Sequence, residues 1–427
     1  MKVAILTMFS DLDTTYSLVN VVAEQLRMLL DKDVPVKLLV CEQFNKDSKF
    51  GVYKDERIEW AYITNTLNGK QIQWHDYSQP DGNVHKSFFE EAAAIAADIV
   101  EKLSDVNVCI MHDILYQGWH LLHNVAVRKA QEQLPALRFI SFSHSAPVNR
   151  PPNPKWPFSA RYTPMQKTTF ISLTYAGIPA LAKQYDIAEG RCHVINNSLD
   201  LLSSLSDDIG NISSKTDILS PDILMVYPGR LTPGKKFDKV AAFAGAVKHK
   251  TEKSVKVVFC DFPSGDVSAK TYKAAVKLTG MKFGLDEQDM VFTTDLGYPN
   301  GFPRKAVLEL FTLSNLFVSP SYSEAFPLTV LEAASRGNFL VLNQAVPALE
   351  EIGKQLKAYF MRWDARNFGF DTKETYHPSE KAYLEEHAEI IVNQMRENPV
   401  VHSKTLVRQR YSPKWIWNNQ FEPLLDY

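Results

Sequence analysis

The sequence predicts an α/β chain of two doubly wound, parallel-sheet layers, and three observations carry that prediction. Short, nearly continuous apolar runs alternate with longer amphipathic ones from end to end. The alternation breaks once, at Ser203–Pro221 (SSLSDDIGNISSKTDILSP), and then restarts. A chain of 427 residues also exceeds what one hydrophobic core usually supports.

In the first half the strand-like runs are Val3–Met8, Val36–Cys41, Val106–Met111, Arg138–Phe142, Thr168–Leu173 and Cys192–Asn196. Each is short and apolar on successive residues, which suits a parallel strand covered on both faces. Helical patterns such as Phe88–Leu103 and His120–Leu134 separate them. After the Ser-, Asp- and Gly-rich break the strands are Ile223–Tyr227, Val255–Cys260, Met290–Thr293, Leu316–Ser319 and Phe339–Leu342. Helices are expected from about Phe237, through Lys270–Lys277, from Arg304 and from Pro327. The predicted domains are 1–203 and 222–407, joined by a linker 204–221. An aromatic C-terminal helix, about 408–427, is expected to pack back on the first domain. Two layers of this kind present the carboxyl ends of their strands, where ligands bind, to a central cleft.

Composition excludes several classes. With 45% hydrophobic and 22% charged residues the chain is an ordinary folded protein, and its net charge of −2 gives no global attraction to nucleic acid or membrane. Cys41, Cys109, Cys192 and Cys260 form no CxxC pair and read as buried free thiols of a reducing compartment. The opening MKVAILTMFSD is too short in apolar residues for a signal peptide, and no run approaches a membrane span. The expectation is a cytoplasmic protein with no integral membrane association and no metal site.

Two stretches carry chemistry. In Tyr227–Lys236 (YPGRLTPGKK) a strand runs into a loop and then a helix, so Arg230 and Lys235 sit at the carboxyl edge of a sheet. Two cations beside a helix N-terminus suit a diphosphate, Arg as a bidentate fork and Lys as a point charge. The plainer alternative is a solvated basic turn. In Ser319–Gly337 (SPSYSEAFPLTVLEAASRG) a strand is followed by Glu324 in a loop. A helix then runs from Pro327 through Glu332 and is closed by Gly337. Carboxylates there can accept sugar hydroxyls, or serve only as a dipole partner and a solvent-facing residue. Together the two stretches describe a site for a nucleotide sugar.

The order Gly-Arg-Leu, Lys five residues after the Arg, and Glu-x7-Glu within SEAFPLTVLEAASRG resembles glycosyltransferase family 4. The resemblance covers about Leu224–Gly353 and is only architectural before it. It implies a GT-B fold and a retaining transferase that uses a nucleotide-diphosphate sugar without bound metal or other cofactor. It further implies that Arg230 and Lys235 clamp the diphosphate, that Glu332 binds the ribose and that Glu324 meets the donor sugar. Backbone at Ala325, Phe326 and Leu328 would face the β-phosphate, and Thr293, Thr294 and Leu296 the base. Pro327 removes one amide from that nest. Alternatives on the same fold are a nucleotide-sugar epimerase and a binding protein without turnover.

The first half departs from the family at Thr7–Thr15 (TMFSDLDTT), which lacks the usual glycine pair and carries Asp11 and Asp13. Asp13 reads as the cap of a helix over Thr14–Leu30, while Asp11 stays open between capping and the acceptor. His144, after the strand Arg138–Phe142, is a catalytic candidate through the resemblance, and Asp113 has a similar position. From Leu134 to Tyr185 there is no acidic residue. Within that span the proline-rich loop 149–167 interleaves Arg150, Lys155 and Arg161 with Trp156. It would bind a phosphorylated hydroxyl acceptor, nucleic acid included, or else pack as a rigid surface loop.

Overall fold

A computed structural model describes residues 1–78, 82–145, 153–265, 267–363 and 379–425. The chain divides into two compact units, Met1–Leu199 with Pro413–Tyr427, and Asp200–Ser412.

The first unit is built on a seven-stranded sheet: β1 (Val3–Leu6), β2 (Val36–Cys41), β3 (Ile58–Ile63), β4 (Val108–His112), β5 (Arg138–Ser143), β6 (Thr168–Ser172) and β7 (Cys192–Val194). The spatial order is β3-β2-β1-β4-β5-β6-β7 and every pairing is parallel. β1 shows why the central strands are so largely apolar. Val3 and Ile5 enter one core with Val22, Leu26 and Trp417, whereas Ala4 and Leu6 enter another with Phe88, Ile95 and Ile99. Successive side chains point to opposite faces and helices cover both, so β1 carries no polar residue. β3 was not expected from sequence: IEWAYI alternates, because Glu59 and Trp60 lie towards one edge of the sheet.

The second unit repeats the topology with β8 (Ile223–Arg230), β9 (Val255–Phe262), β10 (Met290–Phe292), β11 (Leu316–Ser319), β12 (Phe339–Asn343) and β13 (Tyr359–Met361). Its order is β10-β9-β8-β11-β12-β13, again all parallel. Each sheet therefore reverses direction once, between β1 and β4 and between β8 and β11. Open α/β sheets bind ligands outside the carboxyl ends of the strands at that switch point. The α/β class with two parallel-sheet domains is the one the sequence predicts.

Two boundaries differ from expectation. Ser203–Pro221 is part of the second unit: it forms the helix Asp207–Lys215, whose Ile209 and Ile212 are buried in that unit's core together with Ile218. Two isoleucines at i, i+3 on one helix face, with Ile218 after the helix, outweigh the Ser and Asp content. At the other end Arg408 is buried and donates to the carbonyl of Leu219 (2.5 Å), so the helix Pro399–Arg410 also stays with the second unit. The return to the first unit begins at Pro413. There Ile416, Trp417, Phe421 and Leu425 join its core, and Gln420 exchanges two 2.7 Å hydrogen bonds with Asn196.

The helices Phe237–Thr251 and Ala269–Phe283 cross closely at Gly245, where a Cβ would stand 2.8 Å from Phe283 Cβ and 2.9 Å from the Gly280 carbonyl. Neither neighbour is a flexible tip. Gly245→Ala is therefore expected to cost about 1–3 kcal/mol by overpacking, despite alanine's better helix propensity, and chemical denaturation will read the loss.

All four cysteines are buried and unpaired. No helix among the described residues is long and apolar enough to cross a membrane.

Candidate functional site

The sequence stretches that suggested a site meet at the carboxyl edge of the second sheet. β8 ends at Arg230, which is exposed and whose guanidinium has no side-chain partner among the described residues. The chain then makes the turn Pro233–Lys235 and passes Lys236 in the left-handed region (φ 55°) before the helix from Phe237 begins. The buried Tyr227 fixes this turn by donating its hydroxyl to the Lys235 carbonyl at 2.5 Å. Burial pushes that phenol's pKa up, so it remains a donor.

Lys235 Nζ donates to Glu324 Oε1 at 2.7 Å. The neighbouring Lys236 ammonium stands 4.3 Å from the centroid of the Tyr322 ring. Residues some ninety positions apart thus meet across β8 and its neighbour β11. The expectation put Lys235 and Glu324 on different groups of one ligand. The structure pairs them with each other, a cation held beside a carboxylate in the segments that follow β8 and β11.

Glu332 is also partnered. Its Oε1 accepts from Arg304 Nη2 at 2.6 Å and from Nε at 3.2 Å, and Arg304 opens the helix Arg304–Leu313. The helix bearing Glu332 begins at Leu328, with Pro327 as its cap rather than its first residue. Gly337 closes it with φ +69°, a conformation that favours glycine. Ala325, Phe326 and Leu328 are exposed, but the Leu328 amide already donates to the Phe326 carbonyl at 3.1 Å. That removes one of the backbone donors expected to face an anion.

Thr293–Leu296 is a single 3₁₀ turn after β10, anchored from below by a group that sequence reasoning missed. Asp261, near the end of β9 and 1% exposed, accepts the Thr294 amide at 3.1 Å and its hydroxyl at 2.6 Å. Lys273 lies 3.3 Å from the same carboxylate, bonds the Thr294 hydroxyl and reaches Asp295 at 2.6 Å. Thr293 is fully buried, so its side chain supports the turn, while Leu296 packs partly against the core. An acid directly after the apolar run Val255–Cys260 was the available signal for Asp261. Nothing in sequence marked Lys273 or Arg304.

In the first unit the candidates separate. Asp113 follows β4 with φ +60° and is buried, and its carboxylate is spent on three donors. These are the His144 amide at 2.7 Å, the Tyr116 hydroxyl at 3.0 Å and Gln117 Nε2 at 3.0 Å. It positions the loop after β5 rather than standing open to an acceptor. His144 Nε2 lies 2.8 Å from Nδ1 of His112, the last residue of β4, which the sequence reading passed over beside Asp113. Asp11 is exposed and, among the described residues, its carboxylate receives only the Leu12 amide, at 2.8 Å. Asp13 does not cap the helix, which starts at Ser17. It binds the Thr15 amide and hydroxyl, both at 2.8 Å, in a turn one step earlier.

The basic loop also divides. Arg161 is buried and donates to the carbonyls of Tyr116 (2.6 Å) and Tyr77 (3.4 Å), which withdraws it from any acceptor surface. Lys155 and Trp156 are exposed, and Arg150 lies outside the described residues. No group of three or more His, Cys, Asp or Glu side chains suited to a metal ion occurs among the described residues.

Residues 208–361 match the model of a protein family described as "Glycosyl transferases group 1". The matched segment lies wholly within the second unit and contains every residue of the Arg230–Glu332 constellation. Among solved structures, the chain is similar to Anabaena Alr3699/HepE in complex with UDP, at 14% identity and TM-score 0.34 over 100% of both chains. A glycosyltransferase from Rickettsia africae matches at 14% identity and TM-score 0.37, over 100% of this chain and 97% of that one. The lipopolysaccharide outer core galactosyltransferase WaaB matches at 13% identity and TM-score 0.36, over 100% and 99%. No curated protein sequence matches. The family match, rather than these structures, bears on chemistry.

Proposed function

We propose that the protein is a retaining glycosyltransferase that moves a sugar from a nucleotide-diphosphate sugar to a hydroxyl acceptor. The observation that carries this reading is the 2.7 Å contact of Lys235 with Glu324, at the switch point of the sheet and inside the segment that matches the glycosyl transferase family. A cation beside a carboxylate, with the unpartnered Arg230 guanidinium on the preceding strand end, is suited to a donor with a diphosphate at one end and hydroxyls at the other.

In this reading Arg230 and Lys235 neutralise the diphosphate as it departs, so the charge needs no metal ion. Glu324 accepts from the donor sugar. Glu332, oriented by Arg304, accepts the ribose hydroxyls, and the Thr293–Leu296 turn carries the base. The leaving phosphate accepts the proton of the attacking hydroxyl, which spares the protein a strong base. Catalysis then rests on positioning and charge stabilisation. The acceptor is assigned to the first unit, where Lys155 and Trp156 offer a cation and a stacking face for a phosphorylated acceptor. A cytoplasmic setting fits a nucleotide-sugar donor.

Calorimetric titration with UDP, GDP and ADP and their sugars tests the donor site. One family of nucleotides should bind, and Lys235→Ala and Glu332→Ala should each weaken it about tenfold or more, as expected for losing a charged hydrogen bond of about 1.5–3 kcal/mol. Unchanged affinity in both variants would sink the assignment.

A further inference from the structure

We infer that Gln25 and His112 are positioning residues that set the tautomer of His144, holding its proton on Nε2 and leaving Nδ1 as a bare acceptor. His112 is 3% exposed and stacked on Phe142, with ring centroids 5.0 Å apart. Its Nε2 lies 3.0 Å from Gln25 Oε1, and its Nδ1 lies 2.8 Å from His144 Nε2.

An amide oxygen only accepts, so the first contact requires the proton of His112 on Nε2. A neutral imidazole has one such proton, and Nδ1 of His112 is then a lone pair. The second contact forms only if His144 donates from Nε2. Neutral His144 consequently keeps no proton on Nδ1, and that nitrogen has no protein partner among the described residues. The main chain of His144 is held independently by Asp113, which keeps the residue beside His112.

The remaining groups around the pair favour the neutral forms. Burial and the neighbouring His144 push the pKa of His112 well below the ordinary histidine value. Burial lowers that of His144 as well, although the carboxylate of Asp113 pulls it back up. Asp113 itself is occupied by the His144 amide, Tyr116 and Gln117, and burial, followed by the same carboxylate, makes the hydroxyl of Tyr16 keep its proton more tightly. A bare Nδ1 can accept a hydrogen bond from a hydroxyl but cannot donate one to a phosphate oxygen. Within the transferase reading, which this inference refines, His144 therefore receives a sugar or acceptor hydroxyl and not the diphosphate.

The tautomer is directly measurable. Long-range 1H–15N correlation spectra of the full chain, labelled with 15N-histidine at pH 7.5, should show His144 protonated on Nε2 alone. His112→Phe preserves the stacked ring and removes both nitrogens, and in it His144 should become a mixture of tautomers. Gln25→Leu is the second variant, for use if His112→Phe fails to fold, and it should also mix the His144 signals. A wild-type His144 protonated on Nδ1, or a His144 unmoved in a folded variant, would overturn the inference. The donor titrations stand apart from this result, because they probe the second unit alone.

Discussion

Asp261→Ala should lower the folding stability of the second unit by about 3 kcal/mol and weaken nucleotide binding at the same time. The carboxylate is 1% exposed and satisfies the Thr294 amide and hydroxyl, with the Lys273 ammonium 3.3 Å away. Removing one partner of a buried ion pair typically costs about 3–5 kcal/mol, because the other charge is left in a poor solvent. Here the lower end applies. Lys273 keeps Asp295, an exposed partner at 2.6 Å, and its own side chain is 13% exposed. Asp261→Asn retains an acceptor for Thr294 and should lose less. Urea unfolding at pH 7 compares the variants. A wild-type midpoint for Asp261→Ala would mean that the Thr293–Leu296 turn does not depend on this anchor. The functional arm follows from the same geometry, since the turn proposed to carry the base is held from beneath by Asp261.

The second large effect is on acid stability and belongs to the first unit. His123 is buried and His120 half-buried beside Trp74, with ring centroids 4.9 and 5.5 Å from its centroid. Among the described residues, both nitrogens of His123 and Nδ1 of His120 lack hydrogen-bond partners. Burial pushes His120 down to about 4 and His123 to about 3, the second further disfavoured by the first.

Both values lie below the ordinary value of about 6.5, so between pH 6.5 and those values the unfolded chain binds protons that the folded chain refuses. Stability is whole above pH 6.5 and drains away as the pH falls. At pH 5 each histidine accounts for about 2 kcal/mol of loss by this linkage. The nearby His85 is paired with Glu91 at 2.6 Å. Melting temperatures at pH 7.5 and pH 5 should therefore fall further in the wild type than in His123→Phe, which keeps an aromatic ring and cannot be charged. Equal falls would show that these histidines do not govern acid unfolding.

The architecture was legible in the sequence because it rests on local rules. A strand covered on both faces is largely apolar, as in Val3–Leu6, and a surface helix is amphipathic, as in Phe88–Leu103. The order of those runs gave two α/β units, and the strand ends located Arg230, Lys235, Glu324 and Glu332. Where composition and periodicity disagreed, as at Asp207–Lys215, two buried isoleucines proved stronger than a polar majority.

What those four residues touch was decided only in three dimensions. Sequence spacing places a side chain on a strand end but does not choose its partner across the sheet. Lys235 therefore met Glu324, Glu332 met Arg304, and Asp261 came to hold the turn at Thr294. Burial divided the basic loop in the same way, turning Arg161 inward to main-chain carbonyls while leaving Lys155 and Trp156 exposed. The reason is physical: periodicity records which face a residue occupies, and a charge is paired by whichever distant element the fold brings within a few ångströms.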